Sequence, residues 1–252
     1  MKLNFRKRNI ALKISYDGTN YNGFQRQNPP SVAVQNILEE RLAKIFGEKI
    51  EMIGSGRTDA GVHAIGQIVN FFTDGRIEVE KIPYAASGVL PPDIVVVEAR
   101  EVEKNFSALH SAKSKIYIYK ILNSKILNPF LKNFAWHIRF FLDVELMQAA
   151  LKIIEGTHDF SAFKAASSTN MNPVRTIYAA ELFFETDELL TIKIHASGFL
   201  YHMARNIVAA AVEVGRHRLT LEDFKKIFES GERKLFPATA PAHGLYLYKV
   251  FY

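Results

Sequence analysis

The chain has no cysteine. That excludes a disulfide framework and every thiolate metal site, and it permits a reducing cytoplasm, the expected location. Long apolar runs are also missing. The longest purely apolar stretch, Ile207 to Val212, falls far short of the roughly 20 residues a bilayer-spanning helix needs. The N-terminus from Met1 to Asn9 is basic but leads into no apolar segment, so neither a secretory leader nor a membrane anchor is expected. The eight histidines form no H-E-x-x-H or comparable pattern, so no metal is expected.

Acidic residues are absent locally. From Ser107 to Leu142 there is no Asp or Glu, while Lys113, Lys115, Lys120, Lys125, Lys132 and Arg139 all fall there. A second acid-free stretch, Leu189 to Val212, carries Lys193, His195, His202 and Arg205, whereas Asp74 to Lys104 is rich in acid. With a net charge of +6, this segregation suggests a basic face for a polyanion, of which RNA and DNA are the commonest. A solvated lysine-rich surface is the alternative.

What is present describes a globular chain. Its 252 residues are 48% hydrophobic and 23% charged, enough to bury a sizeable core in one large or two smaller domains. Ile10 to Tyr16 alternates apolar and polar side chains as a half-buried strand does. Ser31 is placed to cap a helix whose stripe is Val34, Ile37, Leu38, Leu42 and Ile45, ending at Gly47. Lys49–Ile53, Gln67–Phe72 and Ile94–Val97 read as strands, and Val79–Val89 as a helix. In the second half, Lys115–Ile121, Thr176–Phe184, Leu190–His195 and Leu245–Val250 read as strands. Val144–Ile154, Phe199–Val214 and Leu221–Phe228 read as helices. Without a strict βαβα rhythm, the expected class is α+β with a mainly antiparallel sheet, divided into residues 1–105 and 106–252.

The most informative stretch is Gly54-Ser55-Gly56-Arg57-Thr58-Asp59-Ala60-Gly61-Val62-His63. It fails the dinucleotide fingerprint because Asp59 stands where the third glycine is needed. It fails the P-loop pattern because Val62 and His63 follow Gly61 in place of Lys and Ser or Thr. An acid inside this loop would repel a polyphosphate. With Arg57 two residues earlier, Asp59 suits a carboxylate nucleophile or base exposed in a cleft for an anionic partner. A polar turn between strands is the plain alternative.

Three more segments bear on function. The loop Tyr16-Asp17-Gly18-Thr19-x-Tyr21-x-Gly23-Phe24-Gln25-Arg26-Gln27 mixes aromatic, amide and basic groups that can stack on bases or bond to splayed RNA. Its rings could equally pin the loop to the core. Tyr117 and Tyr119 share one face of a strand, where a tyrosine can stack on a flipped base or simply serve as a good strand residue. In Phe199-Leu200-Tyr201-His202-Met203-Ala204-Arg205-Asn206, His202 and Arg205 are three apart and would share a helix face. Arg205 near a carboxylate would keep it ionised.

Taken with an Arg-x-Ile segment and the closing Ala-x-Gly-Leu-x-Leu, these motifs resemble the tRNA pseudouridine synthase A family in order and spacing, from Ile10 to the C-terminus. The resemblance implies two ferredoxin-like halves sharing a mainly antiparallel sheet, with helices on one side and a basic cleft between the halves. It implies a homodimer that isomerises uridines at positions 38 to 40 of the tRNA anticodon stem-loop without a cofactor. Asp59 matches the essential aspartate and Arg57 the arginine that helps displace the target nucleotide. Tyr117 matches the base-stacking tyrosine, and Arg205 the basic partner of the aspartate. Gln25, Arg26, His63 and His202 complete the expected RNA contacts. Whether the carboxylate attacks the ribose, attacks C6 of the ring or acts as a base toward the ribose stays open. A non-catalytic RNA-binding module is the rival reading, and it has no special need for a carboxylate at position 59.

Overall fold

The computed structural model describes residues 7–165, 172–236 and 239–252. The basic run at the extreme N-terminus therefore lies outside the described residues as far as residue 6. In chain order the first elements are β1 (Arg8–Tyr16), α1 (Val34–Phe46), β2 (Ile53–Gly54), β3 (His63–Thr73), α2 (Ile82–Ser87) and β4 (Ile94–Val102). They are followed by β5 (Ser114–Asn123), β6 (Trp136–Ile138), α3 (Val144–Ile153), β7 (Gly156–Asp159) and β8 (Val174–Thr186). The last are β9 (Leu189–Ala196), α4 (Met203–Gly215), α5 (Leu221–Ser230) and β10 (Leu245–Phe251). The chain parts into two compact units, Met1–Lys113 with Tyr246–Tyr252, and Ser114–Leu245. Among the described residues, no helix is long and apolar enough to cross a membrane.

The class is α+β, as expected. In the first unit the strand order is β4-β1-β3-β10, with β2 also on β3. All pairs are antiparallel except β10 with β3, where Tyr246 lies opposite His63. In the second unit β5, β9, β8 and β7 follow one another antiparallel, and the short β6 runs parallel to β5.

Strand β1 is more deeply buried than alternation suggests. Ile10, Leu12 and Ile14 are inaccessible on one face, but Asn9 and Ala11 on the other face are buried too. The cause is the segment after β4, which folds over that face. The Asn9 amide donates to the carbonyls of Glu103 (2.9 Å) and Phe106 (3.0 Å). Asn70, opposite Ala11 on β3, donates to Asn9 Oδ1 at 2.9 Å and accepts from the Ala108 amide at 2.8 Å. The two buried asparagines satisfy backbone groups that would otherwise be stranded away from water.

Three local expectations need correction. Ser31 does not cap α1: Ala33 holds that position, with no side-chain hydrogen bond. The free amides of Val34 and Gln35 bond instead to the carbonyls of Gly23 (3.1 Å) and Phe24 (2.9 Å), so a neighbouring loop does what a capping side chain would. Of the expected Lys49–Ile53 strand only Ile53 lies in the sheet, where it forms β2 with Gly54. Helix α4 starts at Met203, because His202 has a left-handed backbone with φ +62°. The segment Phe199 to His202 is thus a loop, and His202 and Arg205 share no helix face.

Helix α4 is buried along nearly its whole length. Beneath it Phe160, Phe163, Phe224, Phe228 and Phe236 form an aromatic cluster, with Phe163 and Phe236 stacked at 4.7 Å. Asn206 within the helix donates to the Phe163 carbonyl (2.7 Å) and accepts from Thr239 (2.7 Å) and Arg233 (3.0 Å).

The buried asparagine pair yields a direct test. Asn70→Ala leaves the Ala108 amide without its acceptor, and the expected loss is about 2–3 kcal/mol. Tyr84→Ala, at a ring that is 81% exposed, should change stability by less than ~0.5 kcal/mol. Urea melts of both variants check the order, and an Asn70→Ala melt matching wild type would show that this pin is not what holds residues 103–108.

Candidate active site

The Gly-rich stretch leaves β2 at Gly54 and enters β3 at His63, and it is held along its whole length. Ser55, fully buried, hydrogen-bonds the Gln67 side chain, whose Nε2 donates to the Gly56 carbonyl at 2.8 Å. Thr58 is buried, and its hydroxyl shares a 2.8 Å hydrogen bond with the Tyr16 hydroxyl. The Thr58 carbonyl accepts from the Phe24 amide at 3.1 Å. The Asp59 carbonyl accepts from Val62 N at 3.1 Å, closing a turn in which Gly61 takes φ +76°, as the third residue of such a turn requires. Gly61 N in turn donates to the Tyr21 carbonyl at 3.3 Å.

The loop from Tyr16 to Gln27 is therefore the clamp on Asp59. Two glycines permit it. A Cβ on Gly18 would sit 2.0 Å from the Val62 carbonyl oxygen, and one on Gly23 would sit 2.5 Å from that of Thr58. Gly23 also has φ +86°, which other residues adopt only at a cost. Tyr16, Tyr21 and Phe24 all point inward and are at most 8% exposed. The pinning role is the one the structure favours for these rings; they are not displayed for bases. Burial raises the Tyr16 hydroxyl well above the ordinary tyrosine range. Tyr21 fixes the loop to the start of β4, donating to Asp93 Oδ1 at 2.7 Å.

The sequence-predicted residues of this unit take distinct positions. Asp59 is half-buried, and Arg57 is exposed with no ion pair among the described residues. His63 is 1% exposed: its Nδ1 lies 3.0 Å from the Gly18 amide and 3.1 Å from an Asp17 carboxylate oxygen, and its ring stacks on Tyr246 at 4.7 Å. It braces the two loops from behind. Gln25 donates to Gln35 Oε1 at 2.8 Å, and Arg26 reaches buried Glu39 at 3.0 Å. Glu39 also accepts from the Gln35 side-chain amide and the Met52 backbone amide, so Gln25 and Arg26 are tied into a network on α1.

In the second unit Tyr117 lies on β5, 8% exposed, edge-on to Phe199 at 4.8 Å. Tyr119, on the same face, is buried for a different reason. Its hydroxyl donates to the Pro241 carbonyl at 2.8 Å, and Gly244 leaves no room for a Cβ beside its ring. Burial raises the Tyr119 hydroxyl, and the nearby Arg205 charge opposes that rise. Arg205 donates from Nε to the Ala240 carbonyl at 2.7 Å and is partly buried. The His202 ring contacts Tyr201 at 3.9 Å. Lys115, also on the Tyr117 face, has its ammonium pKa pushed down by burial.

Sequence reading missed the structural work of Gly18, Gly23 and Tyr16, although two glycines five residues apart in an aromatic loop mark close backbone approach. A recess of about 450 Å³ in the first unit is lined by Lys13, Ile65, Arg100 and Tyr248 among others, and none of the predicted site residues lines it.

Comparison with known proteins adds an independent line. Residues 13–109 and 150–252 match the family model described as tRNA pseudouridine synthase. The chain is 45% identical over 246 residues to tRNA pseudouridine synthase A of Thermoanaerobacter sp. (strain X514), covering 97% of this chain and 100% of that protein. It is 43% identical over 245 residues to tRNA pseudouridine synthase A of Acetivibrio thermocellus, again covering 97% and 100%. Among solved structures it is similar, at 11% identity and a TM-score of 0.37, to the archaeal box H/ACA sRNP Nop10-Cbf5 complex, over 93% of this chain and 59% of that one. The chain belongs to the tRNA pseudouridine synthase family, isomerases that act on uridine in tRNA.

Proposed function

We propose that the protein converts uridines at positions 38 to 40 of the tRNA anticodon stem-loop to pseudouridine, with Asp59 as the essential carboxylate. The observation that carries this is the clamped Gly-Arg-Thr-Asp loop. Asp59 is held by hydrogen bonds to the carbonyls of Thr58 and of Asp59 itself, and it lies two residues from an exposed guanidinium. A loop with only a connecting role has no need for so rigid an acid.

The chemistry suits these groups. The bond from ribose C1′ to uracil N1 breaks, the base turns, and C1′ bonds to C5. The C5 proton leaves and N1 gains one, so atoms and electrons balance without an oxidant, reductant or other cofactor. A carboxylate can stabilise or trap the electron-poor sugar, attack the ring, or serve as a base. Reaching the base costs a few kcal/mol of unstacking. Arg57 supports that step, being positively charged, exposed and two residues from Asp59. Tyr117 and Arg205 supply a stacking face and a cation toward the same RNA, and the acid-free stretches supply phosphate contacts. As the resemblance implies, the protein works as a cytoplasmic homodimer.

Asp59→Asn keeps the side-chain shape and removes the charge and the nucleophile. Binding of tRNA should stay within a few-fold of wild type, while tritium release from C5-labelled uridine is abolished. Turnover by rigorously purified Asp59→Asn protein would overturn the assignment, and intact binding with no turnover even in wild type would favour a non-catalytic RNA-binding module.

Tyr117→Phe keeps an aromatic face and the edge contact to Phe199, whereas Tyr117→Leu removes both. Since base–aromatic stacking is worth ~1–3 kcal/mol, the leucine variant should lose roughly tenfold or more in single-turnover rate and the phenylalanine variant much less. Equal rates in both would make Tyr117 a packing residue only.

Binding governed by phosphates has a salt signature. For about five contacts on a duplex stem, log affinity against log salt should fall with a slope of about −4.5. Filter-binding titrations across a salt series measure it, and a flat response would rule out a basic RNA-binding face.

A further inference from the structure

We infer that Tyr16 is a positioning residue for the reaction, acting on Asp59 through the hydroxyl of Thr58. This rests on the reading of Asp59 given above and adds to it the device that aims the carboxylate. The Tyr16 hydroxyl and Thr58 Oγ1 are 2.8 Å apart, at residues 4% and 7% exposed, so water does not compete for the bond. Thr58 immediately precedes Asp59. Its side chain is fixed by Tyr16 and its carbonyl by the Phe24 amide, while the far side of Asp59 is fixed by the Val62 amide. Tyr16 ends β1, where the strand register shifts between Ile14 and Tyr16, so the hydroxyl is held by the sheet and does not depend on a mobile loop.

With its backbone fixed on both sides by the bonds at the Thr58 and Asp59 carbonyls, the direction in which Asp59 projects its side chain is set by the loop. Removing the Tyr16 hydroxyl frees the Thr58 side chain and with it the direction of the next Cα–Cβ bond. A shift of about 1 Å at a reacting group costs on the order of 100-fold in rate. The ring of Tyr16 continues to fill its place against Phe24, whose centroid is 6.4 Å away, so the packing survives the loss of one oxygen.

The test uses the full-length protein and pre-bound tRNA. Tyr16→Phe and Thr58→Val should each slow single-turnover tritium release roughly 10- to 100-fold, with tRNA affinity within about threefold of wild type. The double variant should be no slower than Tyr16→Phe, because Thr58→Val removes only the shared Tyr16–Thr58 bond, whereas Tyr16→Phe removes that bond and the one its hydroxyl makes with the Gln67 side chain. Thr58→Ser, which keeps the hydroxyl, should restore most of the rate, and that rescue is what a loss of general stability would not give. The idea is overturned if Tyr16→Phe reacts at the wild-type rate. It is equally overturned if Thr58→Ser is as slow as Thr58→Val, or if the two single losses multiply in the double variant. Asp59→Asn measured alongside separates the two levels. An active Asp59→Asn protein sinks the function of the carboxylate, whereas an inactive one with unimpaired Tyr16→Phe sinks only the positioning role.

Discussion

Residues 16–24 and 54–63 lie so close together that Gly18 and Gly23 have no space for a side chain, and the candidate site depends on that contact. Close approach excludes water, and the hydrogen bonds made across it then form in a low dielectric where each is worth more and each loss costs more. The contact also reaches beyond the loop. The carbonyls of Gly23 and Phe24 satisfy the first amides of α1. Through Gln35 and Glu39 that helix holds Arg26 on one side and the Met52 amide, just before β2, on the other. A carboxylate on a glycine-rich loop is thereby given the rigidity of a sheet and a helix.

The buried polar groups of this unit divide by task. Asn9 and Asn70 fasten a connecting segment over the open face of the sheet. Tyr16, Thr58 and Gln67 fix the Asp59 loop, and His63 supports it from beneath. Each is paired, as burial demands. Arg57 is the contrast: it is exposed.

The second unit shows how alike two residues can look in sequence and how differently they are used. Tyr117 and Tyr119 share a strand face, but the Tyr119 hydroxyl is occupied by Pro241 and its ring is pressed against Gly244. Tyr117 has an aromatic neighbour in Phe199, which precedes α4 in a loop. The asparagine after Arg205 is also structural, binding three partners under the helix.

Much of the architecture is legible in sequence because it depends on local pattern: the α+β class, most helices and strands, the Gly47 cap of α1 and the Gly-Arg-Thr-Asp loop all follow from periodicity and turn chemistry. Asp59 and Arg57 stand out for the same reason, being charged residues in a loop of small ones. The rest was decided by tertiary contacts, which local pattern does not encode. The amides of α1 are capped by carbonyls ten or more residues away in the chain, so Ser31 is not needed. The αL backbone of His202 delays α4 by four residues, and β10 pairs with β3 from far along the chain. The rings of the Tyr16–Gln27 loop turn inward because two glycines let the backbones meet. Sequence by itself determined which groups could do chemistry; which of them are held and which remain exposed was set by burial, because a side chain's role depends on what else the fold brings within about 3 Å of it.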